Sequence, residues 1–401
     1  MAADAQQERP SRTELGRVLT SGGVLSPDWA PSFAAVPRAA FLPDLMWPFD
    51  MVTGGSVPVS RSEDPERWFQ YADADVPIVT RWDDGGHSGT EPGLVSTSSA
   101  SMPSVVFSML KDLDVQPGNR VLEIGTGTGW NAALLAHRLG AMNVVTVEVD
   151  ESVTAAAKAA LEQFGLRLRV VCGDGFKGFP DAAPYDRIIA TCGLRSIPYA
   201  WVEQSRPGGA IVAPWGTHYS NGDAIARLVV ANDGGSASGA FTGPAEFMKL
   251  RDQRQPRVRH SEYVQGSVAD GDVSSSALTE EQFLSGRFSP QEFALGLCVR
   301  DCVRVVAEKD EGTRAVWFYG LSDRSWACAQ FRDRDTTRVW QSGPRRLWNE
   351  AQAALQWWVA QGRPAFDRFG LTVDSTGEHV WLGTPDNPVP GCSDTKADTK
   401  G

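Results

Sequence analysis

Between about Pro103 and Leu250 the chain carries the apolar runs RVLEIG, NVVTVEV, LRVVCGD, DRIIATCG and GGAIVAPW, each short and rich in β-branched residues. Amphipathic stretches such as WNAALLAHRLG and ESVTAAAKAALEQFG separate them. This alternation predicts parallel strands buried on both faces by helices, an α/β doubly wound, Rossmann-like sheet. The first run ends in Gly125-Thr126-Gly127-Thr128-Gly129, and Trp130 then opens a helical pattern. Glycine in such a turn permits φ > 0 and lets a ligand lie against bare backbone. A dinucleotide turn needs G-x-G-x-x-G or its Ala variant. From Gly125 the third position falls on Trp130, a mismatch, whereas from Gly127 the frame reaches Ala132. On spacing alone the dinucleotide alternative stays open.

The 401 residues allow two or three domains, at roughly 100–200 residues each. We read residues 1–10 as a flexible tail and 11–102 as an N-terminal helical and loop segment that contributes to the active site. Residues 103–250 form the ligand-binding sheet domain, and the polar stretch 251–278 is a linker or lid. An α+β domain follows at 279–389, then a disordered tail at 390–401. In the C-terminal domain SPQEFALGLCVRDCV opens with a Ser cap and Pro at the first helical position. AVWFYGL and SWACAQF alternate as half-buried strands, RRLWNEAQAALQWWVAQGRP reads as an amphipathic helix, and LTVDSTGEHVWLG reads as a hairpin.

Net charge is −11, from 38 Lys plus Arg against 49 Asp plus Glu, so the global field disfavours a nucleic-acid partner. No stretch reaches the roughly 18 apolar residues of a membrane span, and the N-terminus has no apolar signal core. These features predict a cytoplasmic protein with no membrane partner. The six cysteines, Cys172, Cys192, Cys298, Cys302, Cys328 and Cys392, form no CxxC pair and have no histidine at ligand spacing, so no metal is expected. Cys298 and Cys302 would share a helical face if their segment is one helix.

Three acids fall at the carboxyl ends of successive predicted strands, where open α/β sheets bind ligands. Glu123 sits two residues before the first glycine, where a carboxylate suits a cationic ligand. Glu148 ends the second strand, placed for a bidentate contact to a ribose diol. Asp174 ends the third, in Cys172-Gly-Asp-Gly175-Phe176, where it can accept from an adenine amino group while Phe176 covers the ring. The set suits S-adenosylmethionine, a sulfonium and ammonium cation without phosphates, converted in use to S-adenosylhomocysteine. The cofactor residues read this way are Glu123, Gly125, Thr126, Gly127, Gly129, Glu148, Asp174, Gly175 and Phe176.

EIGTGTGWNAALLA, VEVD, GDG, YDRIIATCG and RPGGAIVAPWG resemble, in order and spacing, the protein-L-isoaspartate O-methyltransferases. VPRAAFLP and YADADVPI resemble that family's N-terminal segments, and the likeness spans roughly Ser11–Gly216 with an interruption around Met51–Phe69. It implies a class I S-adenosylmethionine-dependent methyltransferase fold that esterifies a peptide carboxylate. The family's Thr-Ile-Ser-x-Pro-like element is matched by Ser99-Ala-Ser-Met-Pro103, so the resemblance places Ser101 on the active-site serine and Ser99 on the threonine. Composition alone would also allow a serine turn capping the helix that begins at Pro103.

The long C-terminal continuation resembles a bacterial branch dedicated to ribosomally made peptides such as lanthipeptides and graspetides. It implies a modified, macrocyclic precursor peptide as partner, an aspartate as target, and an aspartimide as product. The Trp-rich third zone, with Arg332, Arg334, Arg338, Arg345 and Arg346, would then meet an acidic precursor. The alternatives are a general isoaspartate repair methyltransferase and a non-catalytic S-adenosylmethionine-binding module.

Overall fold

Residues with no polar face must be covered on both sides, and that requirement organises the part of the chain around the glycine turn. The computed structural model describes residues 9–50, 53–255, 257–333 and 336–391. They divide into two units. One holds the described residues up to Cys192 with Ala200–Val212 and Val229–Gly234; the other holds Gly193–Tyr199, Ala213–Leu228 and the described residues from Gly235 onward.

The first unit begins with helices α1 (Pro10–Ser21) and α2 (Ala30–Ala35). Strands β1 (Leu45–Asp50), β2 (Gly55–Ser56) and β3 (Val59–Ser60) follow, then α3 (Pro65–Ala72), β4 (Ile78–Trp82) and β5 (Ser96–Ala100). These strands make an antiparallel sheet in the order β2-β1-β4-β5, with β3 also on β1. The N-terminal segment, read from the sequence as helices and loops, thus also carries a sheet. Asp64 caps α3 by accepting from the Arg67 amide, Pro65 opens it, and Trp68 is fully buried. The tail boundary also moves, since Arg9 donates two hydrogen bonds to Asp73, at 2.6 and 2.7 Å, and Pro10 starts α1.

Helix α4 (Pro103–Leu113) leads into β6 (Val121–Ile124), α5 (Trp130–Leu139), β7 (Val144–Glu148), α6 (Glu151–Gln163), β8 (Arg169–Cys172), β9 (Tyr185–Ala190), α7 (Tyr199–Glu203) and β10 (Ser205–Trp215). The parallel order β10-β9-β6-β7-β8 puts the first strand, β6, between β7 and β9. Every residue of β6 is buried, because both faces carry helices. This is the doubly wound sheet expected, and the point where strand order reverses lies beside β6, the usual ligand position of such sheets.

The second unit contains β11 (Asp223–Val230, up to Leu228), β12 (Ser236–Ala245), β13 (Asp272–Ser276), α8 (Glu280–Phe283), α9 (Pro290–Cys298), β14 (Cys302–Val306), β15 (Thr313–Gly320), β16 (Trp326–Arg332), β17 (Thr337–Ser342), α10 (Leu347–Ala360), β18 (Phe369–Asp374) and β19 (Gly377–Leu382). The predicted helices and strands of the C-terminal domain are all present, and Ser289 caps α9 as read. Two boundaries differ. The stretch 251–278 is not a free linker or lid, because β13 pairs along β17 from Asp272↔Gln341 to Ser276↔Thr337. In addition, Val258, Tyr263 and Val268 pack against the Tyr319–Trp326 cluster. The predicted C-terminal hairpin β18–β19 pairs with β12, through Gly239↔Leu371 and its neighbours, so the division does not fall at Leu250.

Four of the C-terminal tryptophans, Trp326, Trp348, Trp358 and Trp381, are buried core. Cys298 closes α9 and Cys302 opens β14, so they do not share a helical face. Burial pushes the Cys302 thiol up to about 12, which keeps it protonated and inert. Cys392 and Arg334 lie outside the described residues, as does most of each terminal tail. Among the described residues no helix is long and apolar enough to cross a membrane.

Candidate active site

The turn after β6 has positive φ at Gly125 (+96°), Gly127 (+53°) and Gly129 (+89°), as its sequence predicts. At two of these positions a side chain would be crowded as well as strained by φ. A Cβ on Gly125 would lie 2.9 Å from Thr191 Oγ1 at the end of β9, and one on Gly127 would lie 3.3 Å from the Ser99 carbonyl oxygen. The cofactor-turn candidate and the reactive-end candidate are therefore in backbone contact. Ser99 comes from a different sheet than the glycines, yet the fold brings its carbonyl to the same turn.

Glu148 faces that turn. Its carboxylate accepts from the Gly127 amide at 3.1 Å and from the Asp150 amide at 3.2 Å. Across the β7–β8 register Glu148 lies opposite Cys172, and the Gly173 amide donates to the Glu148 carbonyl at 2.8 Å, so Asp174 emerges beside it. Asp174 spends one oxygen on the Phe176 amide, 2.9 Å, capping the short turn Gly175–Lys177. Gly175 is buried beneath the Trp201 indole, which donates to its carbonyl at 2.9 Å, whereas Phe176 is 40% exposed and open to a ring partner.

Glu123 departs from its expected role. It is 0% exposed, so it is a strut behind the turn and not a direct ligand contact. The Asn131 amide donates to it at 2.7 Å and the Thr146 hydroxyl at 2.5 Å; Thr146 is in turn 2.6 Å from the Thr126 hydroxyl. Thr126 therefore turns its side chain inward and offers a ligand only backbone. Burial pushes the Glu123 acid up to about 7, against the two hydrogen bonds that favour its charged form, and nearby Glu148 pushes the same way.

The donor set fits a cation and not a pyrophosphate. In dinucleotide folds the glycine-turn amides and the helix N-terminus hold phosphate. Here the Gly127 amide is already given to Glu148, and Asp174 stands on the next strand end. That amide is therefore not free to hold a pyrophosphate. The frame running from Gly127 to Ala132 thus loses its force once the chain is folded. Among the described residues no group of three or more His, Cys, Asp or Glu side chains is gathered as a metal site.

Ser101 is half-buried, one residue before the α4 N-cap, Met102. Neither serine caps α4; instead Asp75 accepts from the Ser104 amide at 2.8 Å. The residue that sequence reasoning missed is Arg38. It is only 4% exposed and donates to the carbonyls of Ala74 (3.3 Å), Val76 (3.0 Å), Ala100 (2.7 Å) and Ser101 (2.9 Å). Burial pulls its guanidinium down to about 9, with Asp75 and Asp73 opposing. Arg38 lies in VPRAAFLP and Asp75 in YADADVPI, the two N-terminal segments that carry the family likeness. The signal available was a single arginine between prolines in an apolar run. Two of the five histidines are engaged elsewhere: His137 Nδ1 is 3.0 Å from the Ser32 hydroxyl and His87 Nε2 is 2.7 Å from the Glu91 carbonyl.

Residues 79–255 match the family model of protein-L-isoaspartate(D-aspartate) O-methyltransferase. The protein-L-isoaspartate O-methyltransferase of Pyrococcus horikoshii is 37% identical over 162 residues, covering 40% of this chain and 73% of that one. That of Hyperthermus butylicus is 30% identical over 227 residues, covering 54% and 79%. A solved protein-L-isoaspartate O-methyltransferase shares the fold with a TM-score of 0.52 at 23% identity, over 93% of this chain and all (100%) of that one. Taken with the acid-lined glycine turn, these likenesses make the chain a member of the protein-L-isoaspartate O-methyltransferase family, an S-adenosylmethionine-dependent protein carboxyl methyltransferase.

Proposed function

We propose that this protein methylates the free carboxylate of L-isoaspartyl residues in peptides and proteins, as a general repair methyltransferase does. The observation that carries the reading is the Ser99–Met102 strap, tied by the buried Arg38 and pressed against Gly127. S-adenosylmethionine, when bound, supplies the methyl group and carries its own leaving group. Glu148 would hold its ribose hydroxyls, Asp174 its adenine amino group and Phe176 the ring face. The turn Gly125–Gly129 would offer bare backbone, with Glu123 adding negative charge from behind. An acceptor carboxylate is already ionised at neutral pH, so no strong base is needed. The task left to the chain is to hold one carboxylate oxygen in line with the methyl carbon. Ser101 would orient that carboxylate as a hydroxyl donor, with Ser99 two residues earlier on the same strap. A donor that binds too tightly would blunt the oxygen, which favours a neutral hydroxyl over a cation. Once formed, the ester is attacked by the next backbone nitrogen, methanol leaves, and a succinimide results.

A second reading is dedicated tailoring of an aspartate in a macrocyclic precursor, leading to an aspartimide. It is favoured by Ser99-Ala-Ser-Met-Pro103 and by the chain that continues past the family match at residue 255. The continuation alone does not separate the readings, since the fold likeness to a protein-L-isoaspartate O-methyltransferase reaches 93% of the chain. The basic face invoked for an acidic precursor is also partly spent. Arg345 pairs with Glu350, Arg346 with Asp272, and Arg338 lies over the Trp340 ring at 5.0 Å. Mass spectrometry of the protein with donor and a panel of unrelated isoaspartyl peptides, their aspartyl twins and a cyclised acidic precursor tests the choice. Methylation across the isoaspartyl panel supports repair, and methylation of the precursor alone supports tailoring. Donor binding without any methylation supports a non-catalytic module.

A further inference from the structure

Strand β4 pairs with β5, the strand that runs into the Ser99–Met102 strap, but the pairing is uneven. Val79 lies opposite Ser99, Arg81 opposite Ser98 and Trp82 opposite Ser96, so the register shifts on both sides of Arg81. Irregularities of this kind re-aim a side chain. The Arg81 guanidinium reaches the amino end of α6. Its Nη1 donates to Asp150 Oδ1 at 2.9 Å and to the Ser152 hydroxyl, and Nη2 donates to the Asp84 carbonyl at 3.0 Å. Asp83 (φ +51°) and Asp84 (φ +50°) are left-handed, a conformation costly for an L-residue, and the chain turns back until Gly85 lies against the guanidinium.

Asp150 links this guanidinium to the cofactor acids. It follows Glu148 by two residues, caps α6 by accepting from the Ser152 and Val153 amides at 3.0 and 3.1 Å, and gives its own amide to Glu148 Oε1 at 3.2 Å. The other Glu148 oxygen accepts from the Gly127 amide, and the Ser99 carbonyl packs against Gly127. The contacts close a circuit: Ser99 to Gly127, Gly127 to Glu148, Glu148 to Asp150, Asp150 to Arg81, and Arg81 through the β4–β5 pairing back to the strap. All of its members lie in the first unit. The Ser99–Gly127 contact is close packing, which limits distance without fixing direction. The Arg81–Asp150 bond is directional and charge-assisted. Fully exposed ion pairs hold little, but these side chains are only 25% and 13% exposed, so water competes weakly for them.

We infer that Arg81 is a positioning residue that locks the Ser99–Met102 strap to the strand end bearing Glu148. The lock is a property of the fold; what the strap orients, an acceptor carboxylate, rests on the methyltransferase reading above. A displacement of about 1 Å in a positioning element can cost on the order of 100-fold in rate. Glu148 keeps its bonds from Gly127 and Asp150 when the guanidinium is removed, so the loss falls on methyl transfer and not on cofactor binding. A lock of this kind also couples the two ends: cofactor bound at Glu148 steadies the strap through Arg81.

Three variants of the full-length protein test this. Arg81→Met removes the guanidinium and keeps its bulk, and Arg81→Lys restores the charge. Asp150→Asn removes the ion pair but keeps a cap, since asparagine caps a helix as well as aspartate does. In the wild type, S-adenosylmethionine should slow hydrogen exchange across residues 98–101; Arg81→Met should lose that protection and Asp150→Asn should reduce it. Single-turnover transfer to an isoaspartyl peptide should fall about 10- to 100-fold in Arg81→Met, less in Asp150→Asn, with most of the rate recovered in Arg81→Lys. The double variant Arg81→Met/Asp150→Asn should be no slower than Arg81→Met, because the two side chains act through one contact. Calorimetry should show cofactor Kd nearly unchanged throughout. The inference is overturned by cofactor-induced protection that survives in Arg81→Met or is missing from the wild type, by additive losses in the double variant, or by a Kd that weakens in step with transfer. Should Arg81→Met fail to fold, unchanged strap exchange in Asp150→Asn overturns it equally. A wild-type protein that methylates no isoaspartyl peptide refutes the reaction reading instead; the exchange comparison needs no acceptor and still decides the lock.

Discussion

Glu123→Gln isolates the electrostatic cost of the strut behind the glycine turn. The carboxyl is pushed from an ordinary 4.5 up to about 7 by burial. A folded-state value above the unfolded one means that the native protein binds the extra proton between those limits. The associated stability is fully present below about 4.5 and lost as pH rises through about 7. A difference of 2.5 units (7 minus 4.5) corresponds to about 3 kcal/mol of stability forfeited at pH 8. Glutamine keeps the bond from Asn131 through its oxygen and can donate to Thr146, whose hydroxyl then turns toward Thr126. No charge remains to be buried. Glu123→Gln should therefore melt above the wild type at pH 8, by about 2–4 °C per kcal/mol, and the two curves should converge toward pH 5. Binding of the cationic cofactor should weaken at the same time, since a negative charge beneath it is gone. Differential scanning fluorimetry of both proteins from pH 5 to about 8.5 measures the gap. A gap that does not change with pH, or a variant less stable at pH 8, refutes the reasoning.

Glu148→Ala removes the carboxylate that accepts from Gly127, and calorimetry should show S-adenosylmethionine binding weaker by about tenfold or more. Ser101→Ala should slow single-turnover methyl transfer about 10- to 100-fold with cofactor affinity nearly kept; the opposite split between the two assays would exchange the roles assigned to these residues. Arg38→Met keeps the apolar bulk but strips the donor from four carbonyls, and urea unfolding should show a loss of about 3 kcal/mol or more, with transfer slowed through the displaced strap.

The doubly wound sheet was legible because its strands are buried on both faces and read as continuous apolar runs, with a three-glycine turn as punctuation. The N-terminal sheet was not. Strand β5 is Ser-Thr-Ser-Ser-Ala and half-buried, β1 contains Pro48, and β13 is Asp-Val-Ser-Ser-Ser with four of five residues exposed. Such strands are specified by their partners and carry no periodic signal of their own. The acids were legible as a set because each ends a successive strand. What distinguishes them, Glu123 inside and Glu148 facing the turn, depends on the Asn131 and Thr146 side chains, which no spacing rule connects. Arg38 stayed hidden for the same reason. Its four acceptors come from two segments, around residues 74–76 and 100–101, that adjoin only after folding.

The reaction assigned to the site is tested most directly with two peptides identical except that one carries L-isoaspartate where the other carries aspartate. Incubated with wild-type protein and methyl-labelled donor, the isoaspartyl peptide should take up label and release it as methanol while its twin stays unlabelled. Label on the aspartyl twin alone, or on neither peptide while the donor still binds, would contradict the assignment.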